Sequence, residues 1–524
     1  LLSIMTQTGQ LSVREAEQRS SVPDMVPAPV NLKYELGDED ARHCFDLSSR
    51  PTRKVEVSAV GTSGKWNWMP YHNTWTLLFA AWTVCYLDRS VTGPVVSWMI
   101  ANGSPMLGAV DQPHSLGGLI GSMFFAGYML TQFPAGYLGD RFGRRTLVAI
   151  STLWAGVATT LSGASRSLSF FVGTRVLTGL GEGAYYSNDR ALVAEHTPPQ
   201  KVGTGMGVVF VGLSVGMTVA TMASPVLIDA AGGLMGERAW ALPFLLFGPL
   251  TVLVGLALHR WLPRGRGSGE YAGAFLRLAL VSVVLLAAIM GFYHLSVSRG
   301  LGPLWQGGFI LASALLLTVA IFARAGRTSS AVLRDRSLWL MYVSAVPILF
   351  TLWFFGFWAL LVVSESSGLG LTAAAAYAAL FGAAGALGYP LGGVLCDRFP
   401  GTRGRKRLYF LCCTAVALLV LLMVPVTGSG GLAPLAVLLF SIGVLFAAMQ
   451  TVHMTLTSDL SPPEMRGQAF GMWNLVAEVG AVISPLVCGW LRDLTGEWGP
   501  AMLLTAALLT ASAALVMMVP KAVR

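Results

Sequence analysis

The chain has 524 residues, of which 54% are hydrophobic and 12% are charged, and its mean hydropathy is +0.63. A soluble globular domain carries about 25% charged residues, so this composition excludes a soluble protein and indicates one that lies mostly in a lipid bilayer. The net charge of +9 does not indicate a nucleic-acid partner, because the arginines lie in short loops between apolar segments, where they determine membrane topology.

The first segment, residues 1–70, is polar and mixes charges, Pro and Ser without a period. It lacks the basic stretch followed by an apolar core that marks a signal peptide. We expect a disordered cytoplasmic N-terminal tail.

From Trp75 onward, apolar segments of about 20 residues recur, each long enough to cross a bilayer. They predict spans near 74–100, 116–138, 146–165, 168–194, 203–228, 239–262, 273–294, 305–323, 338–363, 372–396, 408–427, 433–458, 466–491 and 498–519. The prediction is therefore an all-α membrane protein of fourteen transmembrane helices. A six-helix bundle covers 71–263, an inserted helix pair with its linkers covers 264–336, and a second six-helix bundle covers 337–524.

The distribution of basic residues supports this layout. If both termini are cytoplasmic, most of the loop arginines and lysines fall on the cytoplasmic side, and the outer loops hold only Arg166, Arg238, Arg299 and Arg492. This asymmetry is what the positive-inside rule requires. A layout with only one of the two central spans would place the second arginine-rich loop outside.

A short motif joins the second and third predicted spans and carries Gly136, Asp140, Arg141, Gly143, Arg144 and Arg145. It resembles the loop motif of the major facilitator superfamily of secondary transporters. A degraded copy follows in the second half with Asp397, Arg398 and Arg405. The resemblance implies the major facilitator fold, built from two repeated bundles that rock about a central site.

This resemblance also implies that the motif residues control the conformation of the bundle. We expect Asp140 to meet the positive N-terminus of a partner helix, and Arg145 to reach Glu195 at the inner end of the fourth span. Asp397 and Arg405 would act in the same way in the second half. A second repeated motif supports duplication of the bundle, because Pro198 and Pro462 begin similar motifs 264 residues apart.

Four charged residues are predicted near the middle of the membrane, where a charge costs at least about 2.5–3.5 kcal/mol. They are Asp88 and Arg89 in the first span and Arg175 and Glu182 in the fourth. Asp88 and Arg89 are adjacent, so on a helix they point about 100° apart and cannot pair well. We expect an acid on one helix to face an arginine on the other. The alternative is that these residues are structural ion pairs that hold the two spans together.

The four charges resemble those of the anion:cation symporter family, which includes carriers of hexuronates and galactonate. The resemblance implies that Asp88 and Glu182 are proton-coupling residues and that Arg89 and Arg175 bind the substrate anion or control gating. The segment from Phe470 to Asn474 resembles the eleventh-helix pattern of that family, which implies that Asn474 contacts substrate. The predicted function is proton-coupled symport of small organic anions such as sugar acids.

Further polar residues are candidates for the substrate cavity: Tyr185, Tyr186, Asn188, Gln450, His453 and Glu478. For His453, a buried, hydrogen-bonded structural role is the alternative to proton relay or substrate binding. Glu478 stands where the symporter family often has Gly or another small residue.

Several alternatives remain open at this point. The first span and the run from Arg175 to Tyr185 also resemble the spinster group of lysolipid and sphingolipid carriers. A drug/proton antiporter fits less well, because its Gly-Pro signature is absent from the fifth span. A non-transporting membrane sensor is the third alternative.

No P-loop or metal-ligand cluster is visible in the sequence, so we expect neither an enzyme nor a cofactor. The expected partners are protons, an anionic small molecule and the lipid bilayer. We expect a protein that works as a monomer in a bacterial inner (plasma) membrane, with both termini cytoplasmic.

Overall fold

The structure, a computed structural model, describes residues 68–520 except 109, 199–200, 265–269, 325–333 and 463–464. Nearly all of the predicted tail at residues 1–70 lies outside the described residues. Within the described part, the regular elements are helices.

Seven α-helices precede the inserted segment: α1 (Pro70–Ser90), α2 (Thr92–Ala101), α3 (Pro113–Phe142), α4 (Arg144–Gly163), α5 (Leu168–His196), α6 (Val202–Met235) and α7 (Leu242–Trp261). A short 3₁₀ helix, Gly236–Ala241, joins α6 to α7. The inserted segment forms α8 (Tyr271–Ser298) and α9 (Pro303–Arg324). Six helices follow: α10 (Arg336–Ser367), α11 (Leu371–Arg398), α12 (Gly401–Ser429), α13 (Leu432–Leu460), α14 (Arg466–Thr495) and α15 (Gly499–Met518).

Each of the fourteen predicted apolar segments is helical over most of its length, and the first of them is divided into α1 and α2. In the described residues, nine helical segments are long and apolar enough to cross a membrane, or ten if the bent helix α3 counts as one span. In that count α6 and α7 form one continuous segment, and α1 and α5, which hold the four membrane charges, are not included. The total of fourteen crossings therefore stays a prediction.

Helix packing follows the same pattern in the two halves. In the first half, α1 packs on α6, α3 on α5 and α4 on α7. In the second half, α10 packs on α14, α11 on α13 and α12 on α15. The contacts between the halves are also equivalent, because α3 packs on α14 and α6 packs on α11. This correspondence is the structural form of the repeat that the two loop motifs indicated.

Two glycines at equivalent positions permit this close packing. A Cβ atom at Gly216 on α6 would lie less than 3.0 Å from the carbonyl oxygen of Thr83 on α1. A Cβ atom at Gly480 on α14 would lie equally close, under 3.0 Å, to the carbonyl oxygen of Val346 on α10. These two glycines are 264 residues apart, the same separation as the two Pro-Pro motifs. The same small residue therefore sets the same helix contact in each half.

The inserted helices pack mainly against the first half. Helix α8 contacts α3, α4 and α5, and α9 contacts α3 and α14. Their outer surface carries exposed apolar side chains, among them Leu276, Val283, Trp305 and Leu316. The pair thus lies beside the contact between α3 and α14, where the two halves meet.

Candidate functional site

A cavity lies between the two halves. Its lining from the first half is Trp82, Tyr86, Arg89, Tyr128, Tyr186 and Phe210, and its lining from the second half is Leu349, Trp353, Gln450, Met454, Trp473, Asn474 and Glu478. Aromatic rings form most of the wall. The two charged groups of the wall come from opposite halves, because Arg89 belongs to the first and Glu478 to the second.

Arg89 reaches the cavity from α1, and its guanidinium is paired with an acid of α5. Its Nε lies 2.5 Å from Oε2 of Glu182 on α5. Its guanidinium also stacks on Tyr128 at 4.2 Å and on Tyr86 at 4.9 Å. The other oxygen of Glu182, Oε1, is buried and has no hydrogen-bond partner among the described residues. This is the pairing between helices that the sequence favoured, and it joins α1 to α5 at the cavity wall.

Asp88 points away from the cavity, as expected for a residue one position from Arg89 on a helix. Its carboxyl group is fully buried inside the first half, near the hydroxyl groups of Thr159 and Thr251. Within the described part of the chain, neither of its oxygens makes a hydrogen bond of normal geometry. The acid is therefore held in the protein interior without a hydrogen bond of normal geometry to its carboxyl oxygens, which is costly for a buried polar group.

Arg175 lies close to Asp88 and is also outside the cavity lining. Its guanidinium donates hydrogen bonds to Ser162 at 2.6 Å and to Thr178 at 3.0 Å. A longer hydrogen bond, of 3.3 Å, reaches the backbone carbonyl of Asp88. Asp88 and Arg175 thus form a second charged layer behind the ion pair of the cavity wall.

The second half contributes Glu478, Asn474 and Gln450 to the cavity. Asn474 donates a hydrogen bond of 3.4 Å to Oε1 of Glu478, whereas Oε2 of Glu478 is buried and has no partner in the described residues. Gln450 accepts a hydrogen bond of 2.9 Å from the hydroxyl of Tyr389. The polar groups of this wall are therefore only partly satisfied by the protein.

Two further candidates on α5 lie outside the lining. Tyr185 donates a hydrogen bond to the carbonyl of Leu78, and Asn188 donates to two backbone carbonyls, one of them on α3. These contacts join α5 to neighbouring helices of its own half. Tyr186, by contrast, lines the cavity.

His453 is buried behind the cavity wall, on α13. Its Nε2 lies 2.8 Å from the hydroxyl of Ser344, and its Nδ1 accepts a hydrogen bond of 2.9 Å from the indole of Trp473. Trp473 lines the cavity. His453 therefore positions a lining residue. A buried, hydrogen-bonded structural role was the alternative that the sequence left open for it.

Several lining residues were not among the candidates, notably Trp82, Tyr128, Phe210 and Trp473. Aromatic residues are 10% of the chain, so their presence in a span does not distinguish a cavity wall from a packed interface. A hydrogen bond of 2.5 Å from Trp82 to the buried carboxylate of Asp189 fixes one of these rings.

The loop motif lies at the end of the bundle where α3 finishes, here named the Asp140 end. Gly143 has φ = +93° at the turn into α4, a backbone conformation that favours glycine. Arg144 bridges Asp140 at 3.0 Å and Glu195 at 3.2 Å. Arg145 was predicted to reach Glu195, and in this conformation it instead donates to a backbone carbonyl at the end of α7.

The second copy of the motif makes an equivalent contact. Arg405 on α12 pairs with Asp459 at the end of α13, and its guanidinium also lies near a backbone carbonyl of α11. Asp459 follows Glu195 by 264 residues, so it is the repeat of that acid, and this offset was the signal that could have identified it. The remaining motif residues are Asp397 and Arg398, which are exposed, Gly136, which is half-buried, and Arg141, which lies over the ring of Phe142.

At the opposite end, named the His114 end, the two halves are joined directly. Asp493 on α14 accepts hydrogen bonds of 2.6 Å from the backbone and hydroxyl of Ser115 on α3. Nδ1 of His114 lies 2.7 Å from the same carboxylate. Glu365 on α10 lies 3.3 Å from His114 and 2.9 Å from Arg492. These contacts hold the two halves together on this side of the cavity.

Comparison with known proteins identifies the family. Residues 78–378 and 357–523 match the family model of the Major Facilitator Superfamily. The chain therefore belongs to this superfamily, a family of transporters and not of enzymes. It is an integral membrane protein with several spans, and the resemblance of its loop motif to the superfamily is confirmed.

Individual relatives agree with this assignment. The chain is 26% identical over 440 residues to a probable sulfoacetate transporter of Cupriavidus necator, covering 81% of this chain and 88% of the relative. It is 32% identical over 207 residues to a probable chloroplastic anion transporter of Arabidopsis thaliana, covering 38% of this chain. That match spans only 37% of the plant relative's length.

The fold is similar to the crystal structure of a bacterial homologue of the human lysosomal transporter Spinster, in an inward-facing and occupied conformation. The TM-score is 0.61 at 16% identity, and the match covers 86% of this chain and 97% of the other. At this identity the similarity concerns the fold alone.

Proposed function

We propose that this protein is a secondary transporter that carries small organic anions together with protons, by exposing the cavity alternately to the two sides of the membrane. The observation that supports it most directly is the buried ion pair of Arg89 and Glu182, placed at the wall of a cavity between two repeated halves. An arginine that both an acid and a substrate anion can engage links the two binding events.

The coupling follows from competition for one guanidinium. An incoming carboxylate or sulfonate binds the Arg89 N–H groups and weakens its contact with Glu182. Glu182, whose Oε1 already lacks a partner in the described residues, then takes up a proton, because an unpaired carboxylate is costly in a buried site. The substrate and the proton therefore favour each other's binding, which is the linkage that symport needs.

Asp88 and Arg175 are proposed to form a second layer of the same pathway. The poorly satisfied carboxyl group of Asp88 is a second proton site of the first half, and Arg175 is fixed beside it by hydrogen bonds to hydroxyl groups. Since Arg175 is outside the cavity lining, we assign it to holding Asp88 in place and to gating. Arg89 contacts the anionic group of the substrate directly. Asn474, Gln450 and Tyr186 bind its other polar groups.

Closure of the His114 end suggests the direction in which this conformation opens. With both termini in the cytoplasm, as the basic loops indicate, the Asp140 end is the cytoplasmic one. We infer a state that is closed outside, held by the contacts of Asp493 with His114 and Ser115. The ion pairs described at the Asp140 end lie within single halves, which leaves the halves free to separate there.

The substrate class is proposed from the cavity and the relatives together. The cavity lining places a cation, Arg89, with amide and carboxyl groups in a mostly aromatic wall, which suits a compact anion better than a lysolipid. The named relatives are anion and sulfoacetate transporters. Sugar acids stay within the proposal, because their carboxylate would bind Arg89 and their ring or chain would pack on the aromatic wall.

The wider assignments are also proposals. They are fourteen spans, a bacterial plasma membrane, cytoplasmic termini and a functional monomer. One chain supplies both halves of the cavity wall, and both halves are what alternating access requires.

The test is transport by purified protein in liposomes that contain a trapped pH dye. Sulfoacetate, galactonate, glucuronate and a lysolipid are added in turn. We expect inward acidification with at least one of the three anions. Acidification by none of them, together with transport of the lysolipid, would contradict the proposal and favour the lipid-carrier alternative.

A further inference from the structure

Glu478 is an acid of the second half that the coupling mechanism above does not use. It is 3% exposed and lines the cavity. Its Oε1 receives one long hydrogen bond from Asn474, and its Oε2 receives none from the described residues. A buried carboxylate with so few donors is costly if it is ionised, whereas a bound proton converts one oxygen into a donor.

The charges that face the cavity give a second argument. Arg89 is the cation of the lining, and Glu182 already engages it. If Glu182 and Glu478 were both ionised, these three groups would carry a net charge of about −1 and would repel an anion. With a proton on each acid, the same three groups would carry a net charge of about +1 and would attract the anion.

In the described part of the chain, the groups that face Glu478 offer one cation, Arg89, to neutralise it. The ionisable groups that act on it electrostatically are Arg89 and Tyr86 from α1, Tyr128 from α3 and Tyr186 from α5. The lining residues from α10 and α13 are Leu349, Trp353, Gln450 and Met454, whose side chains are uncharged. Arg89 is thus the counter-charge available in the lining, and it is shared with Glu182.

We propose that Glu478 is a further proton-binding site of the transport cycle, located in the half opposite Glu182 and Asp88. In the loaded state its carboxylic acid O–H donates a hydrogen bond to the substrate anion while Arg89 binds the same anion from the other wall. The acid releases its proton after the anion has left. This inference rests on the proposed function, because it assigns a role within anion transport.

The first experiment does not depend on transport. Infrared spectra of purified protein at neutral pH are compared for wild type, E478Q, E478D and E497Q. We expect E478Q to lose a carboxylic acid band that wild type and E497Q retain, and E478D to keep a shifted band. Glu497 is an exposed acid and serves as the matched control. A spectrum of E478Q with every wild-type carboxylic acid band would overturn the proposal and indicate an ionised Glu478.

The second experiment measures protons carried per sulfoacetate in liposomes, from the membrane potential at which flux reverses at a fixed pH gradient. We expect E478Q to carry one proton fewer than wild type and E497Q to match wild type. An unchanged ratio in E478Q would overturn the proposal. If wild type does not carry sulfoacetate, the proposed function fails for that anion, and the infrared result still decides whether Glu478 holds a proton.

Discussion

Arg89 on α1 and Glu182 on α5 meet at 2.5 Å between Nε and Oε2, while Oε1 of Glu182 has no hydrogen-bond partner among the residues that the structure describes. A buried ion pair gains little stability over a well-packed apolar pair, because both charges must lose their hydration. The position of this pair at a cavity wall is therefore better explained by exchange of partners than by stability. The stacking of Arg89 on Tyr86 and Tyr128 keeps the guanidinium in place when Glu182 is released.

The guanidinium of Arg89 is expected to be required, and a positive charge alone is not sufficient. R89K keeps the charge but loses the planar group that stacks on two tyrosines and binds an anion through two N–H groups. Loss of one charge-assisted hydrogen bond costs about 1.5–3 kcal/mol. We expect substrate affinity to fall roughly ten- to a hundredfold, measured by uptake at several anion concentrations. Unchanged affinity in R89K would contradict a direct role of Arg89.

Gly118 on α3 is expected to control how the halves meet. A Cβ atom at this position would lie less than 3.0 Å from the carbonyl oxygen of Pro485 on α14. Overpacking of this kind costs about 1–3 kcal/mol, and here the cost falls on the closed His114 end. We expect G118A to favour separation at that end, measured as longer distances between spin labels at Ala101 and Glu497, which are both exposed.

Two other glycine variants serve as controls for this effect. Gly480 contacts Val346 within the second half, so G480A should lower thermal stability without selecting one conformation. Gly207 has no described atom within 4 Å of an added Cβ, so G207A should leave the label distance unchanged and should not lower thermal stability, because Ala is favoured over Gly inside a helix. Equal label distances in G118A and G207A would refute the assignment of Gly118 to the closed state.

The repeated ion pairs at the Asp140 end are expected to differ in strength. The side chains of Arg405 and Asp459 are 17% and 26% exposed, whereas those of Arg144 and Glu195 are 31% and 42% exposed. Exposed pairs contribute about 0.2–1 kcal/mol, and the less exposed pair should lie nearer the upper value. Double-mutant cycles on thermal unfolding, with R405Q and D459N against R144Q and E195Q, measure both couplings. A stronger Arg144–Glu195 coupling would contradict this order.

His453 is expected to act on affinity and not on proton coupling. H453L removes the acceptor of the Trp473 indole and the partner of Ser344. An unsatisfied buried donor costs about 1–3 kcal/mol, so Trp473 should move within the cavity wall. We expect a higher KM for the anion at an unchanged ratio of protons to anions, with partial recovery in H453Q. A changed ratio would assign His453 to the proton pathway instead.

Much of the fold follows from hydropathy and the internal repeat. Fourteen apolar segments predicted fourteen helical regions, and the 264-residue offset relates Glu195 to Asp459 and Gly216 to Gly480. The number of membrane crossings does not follow as directly. Helices α1 and α5, which carry Asp88 and Glu182, are not among the helices that are apolar enough to count as membrane spans. They surround a polar site instead of facing lipid alone.

The site was predicted less completely than the fold. Adjacent charges were expected to point in different directions, and Arg89 lines the cavity while Asp88 does not. The choice between Arg144 and Arg145 depends on where α4 begins, since one position turns a side chain by about 100°. Sequence alone does not fix that start. It also does not show which aromatic rings, such as Trp353, face a cavity between two halves.

The central claim is that Glu182 couples proton movement to anion movement through Arg89. The measurement that tests it most directly compares E182Q with wild type in two liposome assays that use the same anion, namely exchange of anion for anion and uptake driven by a pH gradient. The account predicts that E182Q retains exchange and loses gradient-driven uptake, while E497Q retains both. Gradient-driven uptake in E182Q at the wild-type rate would contradict the account.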